Sequence, residues 1–244
     1  MKTITSDKNL LVVSHFGLGD HIVINGLLRK KSSEYKNCVV LVRRIFLDTL
    51  TQFYSDLENV KIIGLHPSFE GPMSHSLIEY LKFENYEFLK LGYFGDNYLE
   101  ENSMKFDEAF YFQANESFNL RWDNFNYTRN YKKENEVYNQ NKCYNQEYIF
   151  LHEDKERKFL IDRDLLPKNV KIIEPNFNSK YSIFHYRKIL EHAKEIHCIE
   201  SSFTAFIESI QIASKLFAHR YSRPEAKNDP RYEYTYRLPW RIYR

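Results

Sequence analysis

The sequence predicts an α/β protein in two halves, each with a parallel sheet covered by helices. Apolar runs without alternation recur at 11–13, 38–42 and 60–65, as expected of strands buried on both faces. Helical patterns separate these runs, and a β-α-β-α-β alternation at short spacing is typical of a parallel sheet with right-handed crossovers. A buried run at 148–152 starts the same pattern again. We therefore expect two Rossmann-like halves.

The first half follows this plan as far as residue 112. Its first strand ends at a glycine turn, beyond which Val23, Leu27 and Leu28 have helical spacing. Proline is well placed at the start of a helix, and the sequence places Pro72 before an apolar helical pattern. Later in this half we expect a helix at 46–57, a helix from Pro72 to Leu81 and a strand at 88–93.

A polar and aromatic stretch without glycine or proline follows from Glu116. Phe118, Trp122 and Phe125 fall at i, i+4 and i+7, on one face of a helix. We predict a single connecting helix over 116–147, and we expect its aromatic face to lie in the core, with a sugar-binding platform as the alternative. This helix would join a domain at 1–115 to a domain at 148–244.

The second half repeats the alternation of buried strands and helices. Its apolar runs predict strands at 148–152, 170–175 and 196–199. Two apolar stripes at helical spacing predict the helices of this half. The stripes consist of Ile183, Tyr186, Leu190 and Ala193, and of Ala205, Phe206, Ser209 and Ile210.

Composition indicates a globular protein. Of the 244 residues 43% are hydrophobic, enough for a packed core. Cys38, Cys143 and Cys198 are an odd number and widely spaced, so we expect reduced thiols in a cytoplasmic protein. The first residues have no apolar signal-peptide core, and no apolar run is long enough to span a bilayer.

The charge is distributed unevenly along the chain. A net charge of +2 argues against nucleic acid as a partner. Residues 215–244, however, carry eight lysines or arginines against three acidic residues. Such a basic, tyrosine-rich end is most often a solvated arm packed on the domain, and the alternative is that it faces an anionic ligand or makes peripheral contact with membrane headgroups.

The turn after the first strand is a candidate ligand site. Gly17 and Gly19 let the backbone turn sharply and approach a bound group, and free amides at the helix start favour an anion. A dinucleotide fold would need a third glycine where Ile22 stands, and a Walker-type phosphate loop would need a Gly-Lys-Ser/Thr ending, which is absent. Asp20 is then the chemically active candidate, with helix capping as the alternative. His21 flanks the turn, where it would help a base.

This stretch resembles the bacterial heptosyltransferases, whose first strand also runs into a Gly-Asp turn. The resemblance implies that Asp20 is a catalytic base. The proline that the family carries in the following helix is missing here, and Asn25 and Gly26 stand nearby.

The stretch at 200–207, with the sequence Glu-Ser-Ser-Phe-Thr-Ala-Phe-Ile, is a second candidate site. It lies at a predicted strand-to-helix junction, where hydroxyls and free amides bind phosphate oxygens without glycine. It resembles the Ser-Ser-Phe motif of protein O-fucosyltransferases and related fucosyltransferases, in which the serines contact the diphosphate of GDP-fucose. The resemblance implies that Ser201 and Ser202 bind a donor diphosphate. The alternative is an ordinary serine N-cap.

Those enzymes also carry a His-x-Arg motif after the first strand of their nucleotide-binding domain. Here His152 is followed by Glu153 and Asp154, so the arginine is absent at that spacing. A departing diphosphate needs a positive charge nearby. We expect Lys155 or Arg157 to supply it, with a solvated loop as the alternative.

The two resemblances together predict a compact GT-B-like, metal-independent glycosyltransferase. Its substrates would be a GDP- or UDP-linked nucleotide sugar and a glycan or other hydroxyl acceptor, with no cofactor. The acceptor would bind in 1–115 and the donor in 148–244. A nucleotide- or glycan-binding module without turnover is the alternative.

The motif Asp162-Arg163-Asp164 matches a metal-binding Asp-x-Asp only in its letters, because it does not end a strand, and we expect a surface or capping role. The catalytic candidates are Asp20 and His21, and the donor-binding candidates are Gly17, Gly19, His152, Lys155, Arg157, Glu200, Ser201, Ser202 and Phe203.

Overall fold

The chain folds as two compact units, Met1–Thr128 and Arg129–Arg244. The boundary between them lies inside the stretch that the sequence predicts to be a connecting helix. The computed structural model describes residues 6–81, 84–93, 98–176, 180–223 and 229–244.

Unit 1 contains a parallel sheet with helices around it. Its described strands are β1 (Ser6–Val13), β2 (Tyr35–Arg43), β3 (Val60–Leu65) and β4 (Tyr86–Lys90). Its described helices are α1 (Leu18–Val23), α2 (Asn25–Glu34), α3 (Leu47–Phe53), α4 (Glu70–Leu81), α5 (Tyr98–Glu101), α6 (Phe106–Gln113) and α7 (Leu120–Asp123).

The strand order in unit 1 is β3-β2-β1-β4, and every pairing is parallel. β1 lies inside the sheet, and its residues Leu10, Leu11, Val12 and Val13 are all buried, so both of its faces are covered. The chain leaves β1 toward β2 on one side, whereas β4 pairs on the other. In parallel sheets, ligands bind at such a reversal of strand order, beyond the carboxyl ends of the strands.

Unit 2 contains a second parallel sheet. Its described strands are β5 (Tyr148–His152), β6 (Lys171–Ile173), β7 (Glu195–Cys198), β8 (Lys215–His219) and β9 (Trp240–Tyr243). Its described helices are α8 (Tyr131–Gln140), α9 (Arg187–His192) and α10 (Ser202–Ser209). The strand order is β6-β5-β7-β8-β9, so the reversal of strand order lies between β5 and β7.

The predicted fold class is confirmed, because both units are parallel α/β sheets with flanking helices. Some boundaries differ. α4 begins at Glu70, before Pro72. β4 ends at Lys90 because Gly92 has a φ of 82°, a left-handed conformation that ends the strand.

The prediction of one continuous helix over 116–147 is wrong. α7 ends at Asp123, and α8 begins only after Asn130, whose side chain accepts a hydrogen bond from the Lys133 amide at 3.1 Å. A tertiary ion pair fixes the position of α7 against α6, because the fully buried Arg121 on α7 pairs with Asp107 on α6. An uncompensated buried guanidinium would be costly, so α7 is held where that carboxylate lies.

The aromatic residues of this stretch pack against other aromatic residues of unit 1. The ring of Phe118 lies 5.2 Å from Tyr111 and 5.0 Å from Trp122, and Phe125 lies 5.9 Å from Phe53. These contacts agree with a core role for the face.

The sequence analysis did not predict α6, β8 or β9. β9 is a short strand of four residues with an exposed Arg241, so its local pattern is weak. Its position is set by Glu208 on α10, a residue 1% exposed. The Glu208 carboxylate accepts hydrogen bonds from the Leu238 amide (3.1 Å) and the Trp240 indole (2.7 Å). A contact across 30 residues therefore places this strand.

Candidate functional site

The turn after β1 places Asp20 close to Gly17. Gly17 is the N-cap of α1 with extended backbone (φ −73°, ψ 144°), and Asp20 lies in the first turn. A Cβ atom added to Gly17 would lie only 2.5 Å from Oδ2 of Asp20. The carboxylate thus folds back over the glycine, and the absence of a side chain at this position makes the approach possible. Asp20 is the third residue of α1, and a carboxylate at that position that reaches back over the N-cap residue fits the capping alternative as well as a base.

The position of the Asp20 carboxylate also affects whether Gly17 and Gly19 can bind the donor. Gly19 is the second residue of α1, directly before Asp20. A negative charge already lies over the N-terminal end of this short helix, and a phosphate there would be repelled. The geometry therefore argues against Gly17 and Gly19 as ligands of the donor diphosphate.

His21 does not face a ligand. Its side chain is fully buried, and neither ring nitrogen has a hydrogen-bond partner among the described residues. Burial lowers the pKa of His21 to about 3, so the ring is neutral at physiological pH. A neutral imidazole inside the core cannot exchange protons with a substrate, and this corrects the expected catalytic role.

Residues after β4 complete the edge of the sheet beside β1. The Leu91 amide donates to the Val13 carbonyl at 2.8 Å, so the two chain segments still run side by side beyond the strands. His15 Nε2 lies 2.8 Å from the Gly92 carbonyl oxygen, and the Gly92 amide donates to Gln113 Oε1 at 2.7 Å. The sequence analysis missed Gly92 and Gln113, because Gly92 reaches this edge only through pairing of β4 with β1, and Gln113 lies on the unpredicted helix α6.

In unit 2, the ends of β5 and β7 bring His152 and Ser201 together. His152 ends β5, and Ser201 follows β7 as the N-cap of α10. Ser201 Oγ accepts a hydrogen bond from the Phe203 amide (3.2 Å) and lies 3.0 Å from His152 Nδ1. Burial lowers the pKa of His152 to about 4, with the Asp154 charge acting to raise it and the Arg157 charge to lower it. The neutral ring therefore shares a hydrogen bond with the Ser201 hydroxyl, and the tautomer of His152 sets which of the two groups donates.

Ser202 is the first residue of α10 and is partly exposed. The first-turn amides of a helix have no partner within the helix and carry a partial positive charge. Ser201 satisfies one of these amides. This end of α10 lies at the reversal of strand order in the second sheet, where parallel α/β sheets bind ligands.

Two other residues of the motif face the protein interior. Phe203 is fully buried, with its ring 4.7 Å from His152 and 5.0 Å from Phe150. Glu200 is 2% exposed and accepts hydrogen bonds from Arg220 Nε (3.1 Å) and the Tyr236 hydroxyl (2.8 Å). Both residues hold α10 in place, and this corrects their expected contact with the donor.

The two candidate cations of the loop after β5 form ion pairs with acidic residues of unit 2. Lys155 pairs with Glu174, and Arg157 pairs with Asp154 at 2.7 Å. Both cations are more than half exposed, at 62% and 57%. These ion pairs favour the alternative of a solvated loop.

Arg223 lies closer to the start of α10. Its Nη1 donates to the Glu200 carbonyl oxygen at 2.7 Å, one residue before the N-cap Ser201. Its side chain is half-buried. The sequence analysis did not single out Arg223 for this role, because Arg223 follows the unpredicted strand β8. A signal was nevertheless present, since Arg223 belongs to the basic C-terminal end.

Four other cations of that end form ion pairs within unit 2, and Arg241 lies over the Tyr243 ring, 5.3 Å from its centroid. Lys215 pairs with Glu195, Arg220 with Glu200 and Glu233, Arg231 with Asp229, and Arg244 with Glu233. Lys227 lies outside the described residues. Contact with a membrane stays a prediction, and no helix in the described ranges has the length and apolar character to cross a bilayer.

Asp162 caps a short helical turn and accepts a hydrogen bond from the Asp164 amide at 3.0 Å. This agrees with the capping role expected of that motif.

No protein-family model matches the chain, and no curated protein sequence matches it either. A solved structure does match, the crystal structure of the glycosyl transferase family 9 protein from Veillonella parvula DSM 2008. The two chains superpose with a TM-score of 0.57 at 10% sequence identity, over 98% of this chain and 87% of the other. At this identity the likeness shows a shared fold, that of a glycosyl transferase family 9 protein.

Proposed function

We propose that the protein is a glycosyltransferase that moves a sugar from a nucleotide-activated donor to a hydroxyl acceptor. The observation that carries the proposal is the placement of both candidate sites. Asp20 follows β1, which borders the reversal of strand order in the first sheet. Ser201 and Ser202 follow β7, which borders the reversal in the second sheet. The fold shared with a glycosyl transferase family 9 protein supports this interpretation.

Unit 2 binds the donor in this proposal. The phosphate oxygens of a GDP- or UDP-linked sugar accept hydrogen bonds from the first-turn amides of α10 and from the Ser202 hydroxyl. Arg223 supplies positive charge near the same helix end, where charge develops on the departing diphosphate. We propose that amides and arginine together replace a metal ion, so the reaction is metal-independent.

Unit 1 binds the acceptor and supplies the base. The Asp20 carboxylate takes the proton from the acceptor hydroxyl as that oxygen attacks the anomeric carbon, and the bond to the diphosphate breaks. A positioned carboxylate of this kind contributes roughly 10²–10⁴-fold to a rate. His15 and Gly92 form the neighbouring wall of the same sheet edge.

A binding screen tests the donor site first. The melting temperature of the protein is measured with GDP, UDP, ADP and CMP, because a ligand that binds the folded state raises it. Ser202→Ala should then weaken binding of the stabilising nucleotide by roughly 1–2 kcal/mol, the loss of one hydrogen bond to a charged group.

The matched control is Ser33→Ala, a half-buried helix serine of unit 1 whose hydroxyl bonds to the Lys30 carbonyl. Unchanged nucleotide affinity in Ser202→Ala, with an unchanged melting temperature, would remove the phosphate role. Tight nucleotide binding without transfer to any acceptor would favour the binding module.

A further inference from the structure

Tyr93 is an exposed aromatic residue beside the candidate acceptor site. It follows β4, two residues after Leu91 pairs with the end of β1, and its side chain is 51% exposed. An exposed tyrosine alone is ordinary. This one, however, is fixed in place from several directions.

The backbone before Tyr93 is held in a conformation that requires glycine. Gly92 has a φ of 82°, and a Cβ atom there would lie 2.6 Å from His15 Nε2 and 2.7 Å from a Phe110 ring carbon. His15 and Gln113 bond to the carbonyl and amide of Gly92. Gln113 Nε2 also donates to the Tyr93 carbonyl oxygen at 3.3 Å.

The ring of Tyr93 is held as well. It meets the His15 ring edge-on, with centroids 6.0 Å apart, and its hydroxyl donates to the Ser14 carbonyl at 3.4 Å. His15 itself packs edge-on against Phe110 at 5.5 Å. Ser14 and His15 belong to the link that carries the chain from β1 to Asp20. The ring is therefore anchored to the same chain segment as the proposed base.

A fixed and exposed aromatic ring suits a flat, partly apolar ligand. One face of a pyranose ring presents C–H groups, which pack against the electron-rich face of an aromatic ring. Because the hydroxyl and the ring of Tyr93 already contact the protein, a ligand that stacks on it loses less side-chain entropy than on an unrestrained tyrosine.

We propose that Tyr93 is the stacking platform for a sugar ring of the acceptor, which makes the acceptor a carbohydrate. That a sugar ring stacks on Tyr93 does not depend on the proposed function. That this sugar is the acceptor does depend on it. A nucleobase also stacks on aromatic rings, so the test includes nucleotides.

The experiment observes Tyr93 directly by ¹⁹F NMR. The full chain is labelled with 3-fluorotyrosine, and the Tyr93 resonance is the one that disappears in Tyr93→Phe. The protein is titrated with glucose, galactose, mannose, N-acetylglucosamine, lactose and maltose, and separately with GDP and UDP. We expect at least one saccharide to shift the Tyr93 resonance and neither nucleotide to do so.

The affinity of that saccharide is then measured in three variants. Tyr93→Ala should weaken it roughly tenfold, the loss of one aromatic contact. Tyr93→Phe keeps the ring and should bind within about twofold. The control Tyr80→Ala removes another exposed tyrosine of unit 1, 66% exposed on α4, and should bind normally.

Two results would overturn the proposal: no saccharide of the panel moves the Tyr93 resonance, or a nucleotide moves it instead. Saccharide binding at Tyr93 without sugar transfer would support the stacking role of Tyr93 and contradict the proposed transferase activity. The two failures are therefore distinguishable.

Discussion

The contact between Asp20 and Gly17 allows the proposed base to be displaced without being removed. Alanine at position 17 would place a Cβ atom 2.5 Å from Asp20 Oδ2, whereas ordinary contacts begin at 3.4 Å. The carboxylate must therefore retreat by about 1 Å, a misplacement that can cost on the order of 10²-fold in rate. We expect Gly17→Ala to lower single-turnover sugar transfer by about that factor.

The fold should tolerate this change. Gly17 has an extended backbone (φ −73°, ψ 144°) that alanine also adopts. Alanine is a poorer N-cap than glycine, so we expect a loss of at most about 1 kcal/mol in the free energy of unfolding. Gly64→Ala is the matched control. It adds a Cβ atom to a glycine of β3, where the atom would lie 3.2–3.3 Å from Arg44 and Leu47 and would not touch Asp20, so transfer should stay normal.

The assay is single-turnover transfer from the donor that the nucleotide screen identifies, followed as release of nucleoside diphosphate. Asp20→Asn keeps the size of the side chain but cannot take up the proton, so transfer should fall roughly 10²–10⁴-fold with donor affinity unchanged. In the double variant, Gly17→Ala should add little, because the displaced group is no longer a base. Wild-type transfer by Gly17→Ala, or near-normal transfer by Asp20→Asn, would refute the reasoning.

Three further predictions follow from the described contacts. Glu200→Gln weakens one of the two ion pairs of buried Arg220, which keeps its pair with Glu233, and should destabilise the fold by about 1–3 kcal/mol in urea unfolding. An unchanged midpoint would contradict the anchoring role. The pKa of His21 is lowered to about 3, so the unfolded chain binds a proton between pH 3 and 6.5 that the folded chain does not. Stability should therefore fall as the pH drops from 7.5 to 5.0, by about 2 kcal/mol for this histidine, and His21→Phe should show a smaller fall than the wild type. Donor binding and transfer should survive EDTA, and activity that is lost and then restored by Mn²⁺ or Mg²⁺ would show that a metal ion acts where we place Arg223.

Local pattern was sufficient to predict much of the fold. The runs at 11–13, 38–42 and 148–152 lie within strands and are buried throughout, because a strand buried on both faces needs a continuous apolar run. The run at 60–65 is also a strand, but β3 lies at the sheet edge and of its six residues only Leu65 is buried, so the expectation of burial on both faces was wrong there. Ser201 was predicted to lie at the start of a helix, since a serine before an apolar helical stripe is a common N-cap.

The candidate sites depended on contacts that a local pattern does not encode. His21, Glu200 and Phe203 are of the residue types that bind ligands, yet each side chain is buried by elements distant in the chain. Glu200, for example, is satisfied by Arg220 and Tyr236, which follow it by 20 and 36 residues.

The same reason explains the residues that the sequence analysis missed. Tyr93 reaches the link between β1 and Asp20 only because β4 pairs with β1. Arg223 reaches the Glu200 carbonyl only because β8 pairs with β7. The amino-acid sequence by itself determined the buried strands and several of the helices, because burial of an apolar face follows a short period, whereas β8, β9 and the break between α7 and α8 depended on tertiary contacts. The tertiary structure decided which polar side chains remain accessible, because the partner that buries or neutralises a charge is set by strand order.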